Sequence, residues 1–367
     1  MSWLDPAIRV DASRCVVVRA ARATCRRCEE TCPAEAIRLE GGTPRLDAER
    51  CLHCGLCLIA CPTGVFHLEG LSWPDLITRL TRHAEEGALT LRCAYAQAEA
   101  EATFPCLGML DADALLALAA HGLHHLTLRT ADCEACPVKG GERLQAALDE
   151  ATRRGSGTLE VAWERVEAEA EVELEAVLRG LDNPWARKVD RRGFLRLLGA
   201  GLGTAAARPL SPFLPEEGEA GEKRRAQLPP TRLALLHAVT SVGEAPTFPT
   251  YRIGASCDDC QDADALCVRF CPTEALQREH EAGTIRFTLR PERCLDCGLC
   301  ADLCPRQAIR RGEPAPGGEP LPLRTFETMR CRRCGRETIA AEDGLCPACR
   351  RENDLHAMLR GWLTDSR

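Results

Sequence analysis

The feature that most constrains this chain is a nine-residue run that occurs twice. Glu49 to Cys57 reads ERCLHCGLC, and Glu292 to Cys300 reads ERCLDCGLC. Each continues to one more cysteine followed by proline. Cys51, Cys54, Cys57, Cys61-Pro62 and Cys294, Cys297, Cys300, Cys304-Pro305 therefore both follow Cys-x2-Cys-x2-Cys-x3-Cys-Pro without a gap. Three thiolates at that spacing wrap one small centre, with Gly55 or Gly298 permitting the tight turn between them. The proline turns the chain away, so the fourth thiolate reaches a neighbouring centre. The whole chain carries 24 cysteines in 367 residues. Such tight clusters in so long a chain suit metal better than a disulfide framework.

A looser half precedes each run, so the unit is an internal repeat. Cys15, Cys25, Cys28 and Cys32-Pro33 have nine residues between the first two cysteines; Cys257, Cys260, Cys267 and Cys271-Pro272 have six between the second and third. Both are loop insertions, which cost little chain entropy. Crossing of the fourth cysteine assigns Cys15, Cys25, Cys28 and Cys61 to one cluster and Cys32, Cys51, Cys54 and Cys57 to its partner. In the second unit the sets are Cys257, Cys260, Cys267, Cys304 and Cys271, Cys294, Cys297, Cys300. These residues resemble the dicluster bacterial-type ferredoxins, which implies four [4Fe–4S] clusters in two small αβ repeats. Structural zinc at the same cysteines, and a [3Fe–4S] centre lacking Cys15, are the alternatives.

Between the repeats, short apolar runs at 88–93, 102–106, 125–130 and 158–166 alternate with helical patterns at 111–122 and 140–154, which predicts an α/β layer with parallel strands. Cys93, Cys106, Cys133 and Cys136 all fall just past the carboxyl ends of these strands, the edge where ligand sites form. The stretches LRCAYA, FPCLG and HGLHHLTLRTADCEACPVKGG resemble the iron–sulfur delta subunit of methyl-viologen-reducing hydrogenase, and the spacing is also similar to that of thioredoxin-like [2Fe–2S] ferredoxins. Those resemblances imply a [2Fe–2S] cluster and electron transfer to a heterodisulfide-reductase type partner. Zinc, or free reactive thiols, would use the same residues. His121, His124 and His125 are assigned to a helix–strand turn and not to a metal.

Toward the C-terminus, Cys331-x2-Cys334 and Cys346-x2-Cys349 stand eleven residues apart, the arrangement of a zinc ribbon; rubredoxin-type iron is the alternative. DRRGFLRLLGAGLGTAAA at 190–207 resembles a twin-arginine export signal (Arg191, Arg192, Phe194, Leu195) but lies far from the N-terminus. It is expected to be an amphipathic or buried helix joining the modules, with a relic signal, or contact with a membrane surface or an export-linked partner, as the alternatives. The expected architecture is α+β and multidomain: a ferredoxin-like module at 1–75, an α/β domain with a small parallel sheet at 85–170, a helix and Pro/charge-rich linker at 171–248, a second ferredoxin-like module at 249–314 and a zinc-ribbon tail at 325–367.

Net charge is −7 before any cluster is counted. That argues against a nucleic-acid partner and suits docking to basic patches on redox proteins. No apolar run reaches membrane-spanning length, and the first residues lack the pattern of a secretory leader. Thiolate ligands imply a reducing compartment, the cytoplasm. There is no P-loop and no GxGxxG after a strand. The expected function is a polyferredoxin-like electron carrier within a multisubunit oxidoreductase, with electrons entering at one module, crossing the central centre and leaving at the other. A thiol/disulfide-active subunit using Cys133 and Cys136, and a maturation factor for another metalloenzyme, are the alternatives.

Overall fold

The structure is a computed structural model that describes residues 8–68, 70–82, 84, 86–155, 159–181, 228–239, 246–259, 265–281 and 283–355. Arg191, Arg192, the rest of the 190–207 stretch, and Cys260 lie outside the described residues.

The first module is built of β1 (Ile8–Val10), α1 (Val16–Arg19), α2 (Arg27–Thr31), β2 (Ile37–Glu40), β3 (Thr43–Leu46), α3 (Leu56–Ala60) and β4 (Phe66–Leu68). β1 pairs antiparallel with β4, and β2 with β3. Gly41 and Gly42 form the two-residue loop of the second hairpin, both at positive φ, as a twist-matched turn requires. α1 occupies the insertion between Cys15 and Cys25.

The central domain follows with α4 (Trp73–Arg82), β5 (Ala88–Cys93), β6 (Ala102–Phe104), α5 (Ala112–Ala120), β7 (His125–Thr130), α6 (Gly141–Arg153), β8 (Glu160–Arg165) and α7 (Leu174–Gly180). The four strands form one all-parallel sheet in the order β6-β5-β7-β8. Leu89 and Leu91 of β5 sit beside Leu126 and Leu128 of β7, and all four are buried. α4 carries Trp73, Leu76, Ile77 and Leu80 on one buried stripe, the spacing of an amphipathic helix.

The segment at 171–248 contributes more than a helix and linker. Its last ten described helical residues form α8 (Pro230–Val239), whose Ala234, Leu235 and Ala238 are buried in the core shared by the first module and the central sheet. Arg232 of α8 is also buried. It donates to Asp113 Oδ2 at 2.7 Å and to the carbonyls of Glu292 and Cys294 at 3.0 Å. Its guanidinium lies 4.9 Å over the Phe248 ring.

The second module consists of β9 (Thr247–Phe248), β10 (Tyr251–Ile253), α9 (Leu266–Arg269), β11 (Leu276–Glu281), β12 (Thr284–Leu289), α10 (Leu299–Asp302), β13 (Ile309–Arg311) and β14 (Ala315–Pro316). β10 pairs with β13 and β11 with β12, repeating the pairing of the first module. Two tail strands follow, β15 (Leu321–Arg330) and β16 (Glu337–Ile339). β15 crosses the expected boundary at 325 and adds to β12, giving a four-stranded antiparallel sheet β11-β12-β15-β16. The tail is thus tied to the module. Phe326 packs edge-to-face on Phe287 with centroids 5.8 Å apart, which fixes that pairing from within the core.

The modules meet directly. Val16 and Ala20 bury against Leu299 and Leu303. The Thr24 amide and hydroxyl donate to Asp302 Oδ2 at 2.8 and 3.0 Å, and Arg27 donates to the carbonyl of Asp296 at 2.7 Å. The central domain therefore does not stand between the modules, contrary to the order in which they follow along the chain. The insertion at 16–24 supplies the surface that joins them.

Candidate metal centres

In each run, a glycine at positive φ starts a short helix, Gly55 before α3 and Gly298 before α10. The residue two places earlier, His53 or Asp296, is also at positive φ. These reversals turn successive thiols inward. After each Cys-Pro, the second residue beyond the proline again has positive φ: Glu35, Gly64, Glu274 and Gln307. The turn aims backbone amides at sulfur. Ala36 donates to Cys32 Sγ at 3.2 Å, Val65 to Cys61 Sγ at 3.4 Å and Ala308 to Cys304 Sγ at 3.2 Å.

The thiols gather as follows. Burial pushes Cys28 up to about 12, reinforced by Cys61, Cys15 and Cys25 around it. Burial likewise raises Cys54 to about 11, with Cys32 and Cys51 as its thiol neighbours, and raises Cys57, which faces Cys54, Cys51 and Cys32. In the second module, burial pushes Cys294 up to about 12 and Cys297 to about 11, with Cys271 near both. Cys300 is raised by burial and by Cys297, Cys294, Cys271 and Cys267. Free thiols in such surroundings hold their protons at neutral pH, so a metal entering them must displace protons.

The central four also share a place. Cys93 ends β5, Cys106 follows β6, and Cys133 and Cys136 follow β7. All four line one cavity with Tyr95, Thr130 and Val138. Burial raises Cys106 to about 12, with Cys54 of the first module and Cys93 and Cys136 nearby. The fit is close: a Cβ on Gly140 would overlap Cys106 Sγ, and one on Gly141 would lie 2.8 Å from Cys133 Cβ. This cavity abuts the first module. A Cβ on Gly55 would overlap Met109 Sδ, and one on Gly108 would lie 3.0 Å from Leu56 Cδ2. His121, His124 and His125 stand at the other end of β7, where His125 Nδ1 lies 3.1 Å from Glu160.

In the tail, the sulfurs of Cys331, Cys334, Cys346 and Cys349 all lie within 4.8 Å of one another, and Cys334 and Cys346 are 3.6 Å apart. A tetrahedral ion with bonds of about 2.3 Å spaces its sulfurs about 3.8 Å apart, so the set fits one metal. The backbone amides of Cys346 and Cys334 lower Cys331 to about 6, which favours a thiolate there. Among the described residues this is the one cysteine set that compact.

Three buried charges escaped sequence reasoning. Asp113 is held between Arg154, at 2.8 Å, and Arg232, at 2.7 Å. Nothing in the local pattern of α5 marks it, since its partners are 41 and 119 residues away.

Residues 21–65 and 256–308 match the 4Fe-4S dicluster domain family. An uncharacterized ferredoxin of Methanocaldococcus jannaschii is 50% identical over 42 residues, 11% of this chain and 28% of that protein. A component of the ion-translocating oxidoreductase complex of Methanosarcina acetivorans is 41% identical over 44 residues, 12% of this chain and 17% of that protein. Polyferredoxin protein MvhB of Methanothermobacter marburgensis is 35% identical over 79 residues, 20% of this chain and 18% of that protein. In each case the chain spans under a third of the relative's own length. The two modules are ferredoxin-type 4Fe-4S domains.

Proposed function

We propose that the chain is an electron-transfer protein carrying four [4Fe–4S] clusters, one [2Fe–2S] cluster and one zinc ion, serving as a subunit or close partner of a cytoplasmic multisubunit oxidoreductase. The observation that carries this reading is the gathering of the thiols into sets. Among the described residues five groups of cysteines lie near one another, and the tail set brings its four sulfurs within 4.8 Å; the set with Cys260 rests on the sequence repeat, since Cys260 lies outside the described residues. The compact tail set suits zinc, and the repeated cysteine runs suit polynuclear iron.

The residues fit these groups. Cys15, Cys25, Cys28 and Cys61 would hold one cubane, and Cys32, Cys51, Cys54 and Cys57 its partner. Cys257, Cys260, Cys267 and Cys304, with Cys271, Cys294, Cys297 and Cys300, would hold the second pair. Cys93, Cys106, Cys133 and Cys136 would hold the [2Fe–2S] cluster, in a domain of the hydrogenase-delta kind. Each cluster supplies a site that accepts and returns one electron. The chain's own part is to fix the thiolates, bury them from water, and aim amides such as those of Ala36, Val65 and Ala308 at sulfur, which favours the more negative state. No described helix is long and apolar enough to cross a membrane.

Anaerobically purified protein should contain about 18 iron atoms, matching acid-labile sulfide, and about one zinc, from the needs of each centre. Colourless protein with zinc throughout would overturn the proposal. The thiol/disulfide reading requires Cys133 and Cys136 to react freely with an alkylating agent in the iron-loaded protein; the shared cavity predicts that all four central thiols are protected.

A further inference from the structure

Arg143 is the cation that none of these assignments uses. It sits in the first turn of α6, two residues beyond Gly141 and three beyond Gly140, whose backbones press on Cys133 and Cys106. From the central domain it reaches into the first module and donates from Nη1 to Thr31 Oγ1 at 3.1 Å. Thr31 immediately precedes Cys32. Its Nε is buried without a hydrogen-bond partner, and among the described residues the side chain forms no ion pair.

The surroundings make that solitude informative. Arg143 lines a cavity of about 350 Å³ where the three units meet, together with Arg27, Arg154 and Arg311. Each of the other three is paired with a carboxylate: Arg154 with Asp113, which Arg232 shares, and Arg27 and Arg311 together with Asp296. Asp111, Asp113, Glu150 and Asp296 line the same cavity, and among the described residues none of them forms an ion pair with Arg143, so its charge is compensated only from a distance. The groups that favour its cation are the Asp111 carboxyl first, then Cys106 of the central set and Cys54 of the first module's set. The amino end of α6 adds positive potential on the same side.

We infer that Arg143 is the shared counter-charge of two adjacent centres, the Cys93/Cys106/Cys133/Cys136 set and the Cys32/Cys51/Cys54/Cys57 set, and that it raises the reduction potential of both. The inference rests on the cluster-binding reading above. Taking up one electron adds one negative charge at either set, and a fixed cation between them favours that state at both. Arg143 is a tuning residue and need not touch iron.

The test is a redox titration of the full iron-loaded chain followed by electron paramagnetic resonance, in wild type, Arg143→Gln and Arg143→Lys, with Arg153→Gln on the same helix as control. In Arg143→Gln, two midpoints, that of the [2Fe–2S] signal and that of one [4Fe–4S] signal, should move negative by at least a tenfold change in reduction equilibrium, which is 59 mV for one electron. The remaining centres and the control should hold their values, and Arg143→Lys should restore most of the shift. If Arg143→Gln fails to take up iron, Arg143→Met, which keeps the stem's packing, is read in the same way. Full iron content with unmoved midpoints, a uniform shift of every centre, or an Arg143→Lys protein that behaves like Arg143→Gln would overturn the inference alone. Wild-type protein without iron would overturn the cluster-binding reading as well.

Discussion

Single residues set the tolerances of this molecule. Gly140 has no room for a side chain beside Cys106. Gly140→Ala should therefore cost the central centre: iron should fall from about 18 to about 16 per chain, with the [2Fe–2S] signal lost and the [4Fe–4S] signals kept. Asp111 is the second such point. It caps α5 through the Ala114 amide at 2.8 Å and accepts from the Thr231 hydroxyl at 2.8 Å. Burial, then the nearby Asp113 carboxylate, push it up to about 6. A carboxyl raised in this way contributes stability that is present below its unfolded value, about 4, and is lost as pH rises through 6. Asp111→Asn keeps the cap and removes that titration. The melting temperature of the variant relative to wild type should rise between pH 5 and pH 7; a constant difference over that range would contradict the assignment. Asp113 behaves oppositely. Burial raises it, but Arg232 and Arg154 more than offset this, so its contribution fades only in acid.

Among the elements, α8 shows what sequence reasoning missed and why. The parallel strands were legible because apolar runs such as ALTLRC at 88–93 are bounded by turns, and the two ferredoxin-type modules because the cysteine spacing is itself the signal. The helix PTRLALLHAV follows a Pro-rich, charged stretch, and its role comes from distant partners that no local window contains. Arg232 is its anchor. Arg232→Ala leaves Asp113 with half its compensation and three acceptors without a donor, so stability should drop by about 3–5 kcal/mol, the usual cost of breaking a buried ion pair. Denaturant titration would measure it. A loss under about 1 kcal/mol would mean that Arg154 alone satisfies Asp113. The extension of β15 into the second module was hidden for a related reason: the alternation in LPLRTFETMR marks a strand but not which sheet accepts it.

Across the whole molecule, the three larger units share buried contacts while the tail sulfurs form a small cluster of their own. Withdrawal of zinc by a chelator should leave the visible absorption of the iron centres intact; parallel bleaching would show that the tail supports them. At the junction of the modules, Asp302→Ala removes two hydrogen bonds from Thr24. That should cost about 1–3 kcal/mol, since one partner is charged, and calorimetry should then resolve two transitions where wild type shows one. The duplicated helices also dock unequally. Leu56 of α3 faces the central domain at Gly108, whereas its counterpart Leu299 of α10 faces Val16 and Ala20 of the first module. Two copies that dock through unlike surfaces make a heterologous contact and not a two-fold one. The repeats are therefore not interchangeable: an α3 sequence moved into the place of α10 would meet a seam it was never shaped to fill.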